Sequence, residues 1–77
     1  MADITIRNSI RVLRFEAGEM TQQALADRVG ITRQTVIALE KGKYYPSLKL
    51  AFKIATAFSR ELQDVFECEP PTPDGSK

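Results

Sequence analysis

The sequence predicts an all-α fold of five short helices, and three observations predict it. Apolar residues recur at three- and four-residue spacings through most of the chain. Thr21, Thr32 and Ser47 stand just before such runs, where a helix N-cap is needed, and Gly18, Gly30 and Gly42 follow them, where helices stop.

Ile6, Ile10, Leu13 and Ala17 form a helical stripe, with Arg7, Asn8, Arg11 and Arg14 largely off it, so the first helix is expected from about Ile4 to Glu16. Ile4 and Ile6 also alternate as a short strand would. Val12 and Phe15 lie off the stripe and are expected at the surface, where scattered apolar groups are normal. Thr21 caps a second helix carrying Ala24, Leu25 and Val29, which Gly30 ends with a positive φ. Only Ile31 separates Gly30 from Thr32, the cap of a third helix that runs to about Glu40 or Lys41. Two brief, separately capped helices across so tight a turn are helix-turn-helix geometry. A loop of Lys43, Tyr44, Tyr45 and Pro46 leads to Ser47 and a fourth helix with Leu48, Ala51, Phe52, Ile54, Ala55 and Phe58, expected at the centre of the core. A fifth, from Glu61 to Phe66, adds Leu62, Val65 and Phe66. After Cys68 the sequence EPPTPDGSK holds three prolines and no apolar anchor, so residues 67–77 are expected to be a flexible, acidic tail.

Seventy-seven residues make one small domain, in which a single core rarely supplies more than about 3–5 kcal/mol. There is no histidine and only one cysteine, Cys68, read as an incidental free thiol, so no metal site, cofactor or internal disulfide is expected. Without His, a Gly-rich phosphate loop or paired carboxylates at a pocket, the groups for catalysis are missing and no enzyme is expected. So small a core leaves no room for a small-molecule effector. The N-terminal residues lack a signal-peptide pattern and no apolar run could cross a bilayer, so a cytoplasmic protein without membrane contact is expected.

The net charge of +1 says little, but its distribution says more. Between Arg28 and Lys43 there are four cations against Glu40 alone; from Arg60 to Asp74 five acids face only Arg60. Within the basic stretch, a helix starting after Thr32 places Val36 and Leu39 on one face and Arg33, Gln34 and Ile37 on another. Taken alone, Arg33 and Gln34 read as solvated surface. On an exposed helix they are also the pair that reads bases, Arg bidentate to guanine and Gln to adenine.

The segment TQQALADRVGITRQTVIALEKGKYYPSLKLAFKIATAF resembles the Cro/CI-type, or XRE, helix-turn-helix family of transcriptional regulators. The resemblance rests on Thr21-Gln22, Leu25-Ala26, Val29-Gly30 and Leu39-Glu40-Lys41-Gly42 in register, and covers residues 6–66, with the motif at 21–40. It implies a compact, five-helix, lambda-repressor-like domain that binds double-stranded DNA in the major groove. Base readout is implied for Thr32, Arg33, Gln34, Ile37 and Ala38, and phosphate contact for Gln22, Thr35 and Lys41. Lys43 and one of Tyr44 and Tyr45 are candidates for further phosphate contacts. The family also pairs Arg14 with Glu40 behind the reading face. Two departures stand out: Ser59-Arg60 replaces the usual Gly-apolar pair after the fourth helix, and GEM before Thr21 holds one residue more than the tightest relatives. Ser59 either reshapes that corner or caps the fifth helix. The function expected is that of a sequence-specific regulator acting as a homodimer on an inverted repeat; an antitoxin or other protein-interaction module on the same fold is the alternative.

Overall fold

The computed structural model describes residues 4–69. Their order is β1 (Thr5–Asn8), α1 (Ile10–Glu16), α2 (Gln22–Val29), α3 (Arg33–Glu40), α4 (Leu48–Ala57), α5 (Leu62–Val65) and β2 (Phe66–Glu69). The all-α expectation therefore needs correcting, because the five helices are joined by a small antiparallel sheet of β1 and β2. Its register is Thr5 to Glu69, Ile6 to Cys68, Arg7 to Glu67 and Asn8 to Phe66, which sets opposite charges directly across from each other in one pair.

The sheet shortens the first helix and trims the last. Ile6 turns inward as expected, but as an alternate residue of a strand, while Ile10 and Leu13 are the buried positions of α1. Asn8 makes the junction: its side-chain amide donates to the Leu39 carbonyl at 2.8 Å, and its Oδ1 accepts from the Ile10 N–H at 3.2 Å. At the other end, α5 is a single turn in which the Asp64 carboxylate accepts from the Glu61 N–H at 3.1 Å. Phe66 already has strand dihedrals. Residues 67–69, expected to begin a tail, belong to β2, and the remainder of that expected tail, 70–77, lies outside the described residues.

The three central helices begin where their cap residues stand. Thr21, Thr32 and Ser47 accept, through their hydroxyls, the N–H of Ala24, Thr35 and Leu50. Gly30, with φ +81°, closes α2. α3 ends in a Schellman motif, in which Lys43 N–H reaches the Ala38 carbonyl and Gly42 N–H reaches Leu39. The same pattern closes α4 without a glycine: Arg60 N–H bonds Ala55, Ser59 N–H bonds Thr56, and Ser59 itself sits at φ +56°. Ser59 thus takes the left-handed position usually given to Gly, and the cap of α5 is Glu61. The turn before α2 is built differently, with Gly18 and Glu19 both left-handed at φ +83° and +59° and the Met20 N–H returning to the Arg14 carbonyl at 2.8 Å. Ser59→Gly should remove about 1–3 kcal/mol of left-handed strain while losing about 0.4–1 kcal/mol through a freer unfolded chain. Urea denaturation should therefore show a gain of up to about 2.5 kcal/mol.

The core is one cluster fed by every helix: Ile10 and Leu13, Leu25, Ala26 and Val29, Val36 and Leu39, Ile54 and Ala55, and Val65. α4 is less central than its composition suggests. Ala51, Ile54 and Ala55 are buried, but Leu48 and Phe52 are exposed.

Candidate nucleic-acid interface

α3 is fixed in rotation by its inner face. Val36 and Leu39 are essentially inaccessible, so Gln34, roughly half a turn away from both, must face outward. Arg33 and Gln34 are exposed, and among the described residues neither side chain has a hydrogen-bond or ion-pair partner. Ile37 and Ala38 are half-buried on the flank of the same helix. Thr32 and Thr35 are tied to each other, with 2.9 Å between hydroxyls and the Thr35 N–H donating to the Thr32 hydroxyl at 3.2 Å.

Behind α3 lies a chain of charged hydrogen bonds. The Arg14 Nε donates to Glu40 Oε2 at 2.6 Å and its Nη2 to Oε1 at 3.1 Å, while Nη1 reaches the Met20 carbonyl at 2.7 Å. The Gln22 amide also donates to Glu40 Oε1, at 3.2 Å. One carboxylate at the end of α3 therefore holds α1 through Arg14 and the first residue of α2 through Gln22. The pair is largely shielded, with side-chain exposures of 15% for Arg14 and 9% for Glu40. A two-point guanidinium–carboxylate contact in such surroundings is directional as well as attractive, and so fixes the angle between helices.

Two shallow depressions meet at Gln22. One is lined by Arg14, Thr21, Gln22, Gln23 and Arg33, at the joint N-terminal ends of α2 and α3. The other is lined by Arg11, Arg14, Gln22, Ile37, Glu40 and Lys41, between α1, α2 and the end of α3. Together they make one continuous surface carrying Arg33, Gln22, Ile37 and Lys41. Lys43, Tyr44 and Tyr45 are exposed in the loop after α3 and line neither depression. Neither tyrosine packs beneath the loop; their exposures are 45% and 54%.

Arg11 is the residue that sequence reasoning passed over. It precedes Arg14 by three positions, which puts both on one side of α1. That spacing is the signal that could have placed it beside the Arg14–Glu40 pair. Among the described residues, no group of His, Cys, Asp or Glu side chains could hold a metal ion, and no helix is long and apolar enough to cross a membrane.

Known proteins match this arrangement closely. A family model described as helix-turn-helix matches residues 12–65. An uncharacterized HTH-type transcriptional regulator of Methanothermobacter thermautotrophicus is 53% identical over 73 residues, covering 94% of this chain and 100% of that protein. The HTH-type transcriptional regulator YgzD of Bacillus subtilis, also uncharacterized, is 50% identical over 64 residues, covering 83% of this chain and 96% of its own length. A crystal structure of a Bacteroides fragilis protein shares the fold at a TM-score of 0.73 and 24% identity, over 82% of this chain and all of that one.

Proposed function

The chain belongs to the XRE-type helix-turn-helix family of DNA-binding transcriptional regulators, and from that premise we propose that it is a homodimer that reads an inverted-repeat operator with α3. The observation that carries this reading is the division of α3 into two faces. Val36 and Leu39 lock one into the core, while Arg33 and Gln34 project, without partners among the described residues, from the other. Unpaired Arg and Gln at the N-terminal end of a rigidly seated helix are what base readout requires.

In this reading α3 enters the major groove N-terminus first. Arg33 pairs with guanine and Gln34 with adenine, while Thr32 sits at the helix entrance. Ile37 and Ala38 touch thymine methyls, so part of the specificity comes from apolar contact. Gln22, Thr35 and Lys41 flank this face and take backbone phosphates, with Lys43, Tyr44 and Tyr45 continuing the track along the exposed loop. One α3 reads only a few base pairs. Two-fold pairing of subunits doubles the site and sets half-sites about 34 Å apart along the duplex.

Selection of bound sequences from a random duplex pool tests the proposal directly. An enriched inverted repeat is the expected result; failure to enrich any sequence would sink operator recognition and favour a partner-binding module. On the recovered operator, Arg33→Ala should cost about 1–3 kcal/mol of discrimination at one base pair per half-site. Lys43→Ala should weaken binding to all sequences alike and lower the salt dependence. A preserved base preference in the Arg33 variant would remove that residue from the reading face.

A further inference from the structure

The depression between α1, α2 and α3 has a charge arrangement that the helix-turn-helix alone does not explain. Arg14 and Glu40, which form its floor, neutralise each other. Arg11 and Lys41 on its rim are exposed, and among the described residues neither side chain has a hydrogen-bond or ion-pair partner. The Gln22 amide gives one N–H to Glu40 and, having two, keeps the other free. The rim therefore offers two uncompensated cations and an oriented N–H donor, which is the complement of an anion with several acceptor oxygens.

Resting on the DNA-binding reading above, we propose that this cleft seats a backbone phosphate of the bound duplex, with Arg11 reaching from α1 as a phosphate-binding residue outside the helix-turn-helix. Location decides between a phosphate and an acidic peptide. Gln22 is shared with the depression that holds Arg33, so the cleft continues the reading surface. The phosphates beside a major groove occupied by α3 are the anions nearest to that surface. Glu40 is the positioning residue: by holding Gln22 it fixes the direction of the free N–H, and by pairing with Arg14 it keeps its own charge from repelling the phosphate.

The test uses the full chain and the duplex recovered by selection, with affinity measured across a salt series. One phosphate contact changes the slope of log K against log[salt] by about 0.9 and is worth about eightfold in affinity at about 0.1 M salt. Arg11→Ala should therefore lose about that slope and that affinity per subunit, with unchanged base preference and thermal midpoint. Arg11→Lys should keep most of the slope. Lys53→Ala removes an exposed cation that does not line this cleft, and should leave the slope as in the parent protein. An unchanged slope in Arg11→Ala, or an equal loss in Lys53→Ala, overturns the proposal while leaving operator binding intact. Binding of inorganic phosphate that depends on Arg11 while the duplex slope does not would assign the cleft to a free anion instead. A parent protein that binds no duplex overturns this proposal and the DNA-binding reading together.

Discussion

Replacing Ile54 by Ala is expected to leave the domain barely folded. Ile54 is fully buried at the middle of α4, packed into the cluster that all five helices feed. Removing its outer carbons costs their transfer free energy plus that of the cavity left behind, about 2–5 kcal/mol. That is comparable to the whole stability that one core supplies at this size, about 3–5 kcal/mol. Circular dichroism of Ile54→Ala should show lost cooperativity or a midpoint near room temperature, whereas Ile54→Val should cost only about 0.5–1.5 kcal/mol. Phe52, two positions earlier and 51% exposed, supplies the contrast: Phe52→Ala should change stability by no more than about 0.5 kcal/mol. If the two alanine variants unfold alike, the rotation of α4 described above is wrong.

Arg14→Ala should cost about 3 kcal/mol, the lower end of what breaking a buried ion pair costs, because both groups keep some contact with water. The loss is larger than the pair itself is worth. It strands the Glu40 carboxylate with only Gln22 as a donor, and it leaves the Met20 carbonyl without its 2.7 Å guanidinium contact. A double variant, Arg14→Ala with Glu40→Ala, removes the stranded charge and should recover part of the loss, so that urea midpoints order as parent, double, then single. A single variant as stable as the double would mean that Glu40 is solvated rather than held between helices. In the double variant Gln22 also loses its anchor. Operator binding should then stay weak even where stability is restored, which separates the two roles of Glu40.

Much of this fold is written locally. The boundaries of α2, α3 and α4 follow from Thr21, Thr32, Ser47 and the turn glycines, because capping is an interaction between residues three or four apart. The inward positions of α3 were legible for the same reason: Val36 and Leu39 share a face by helical spacing alone. The sheet was not. Ile6 fits a helical stripe with Ile10 as well as it fits a strand, and what decides between them is a partner, Cys68, at the far end of the sequence. The exposure of Leu48 and Phe52 was hidden too, since a helix with apolar residues on several faces does not say which one the core takes. The link from Arg14 to Glu40 spans 26 positions, and it was reached through family resemblance because no periodicity connects α1 to the end of α3. Arg11 went unread because an exposed cation on a short helix is ordinary surface until the cleft beside it is known.

The sheet that joins the two ends of the described chain also bears on the order in which the molecule assembles. Closing a loop of roughly 60 residues to pair β1 with β2 is entropically costly, whereas each helix needs only neighbours within a turn. The capped helices should therefore dock first, with the strands zipping last onto a nearly finished domain. Amide protons bridging the strands should then exchange through a local opening, faster than those of α3, whose protection reports global unfolding. If so, α3 survives fluctuations that separate the two strands, even though the Asn8 side chain at the edge of β1 is bonded to the Leu39 carbonyl of α3.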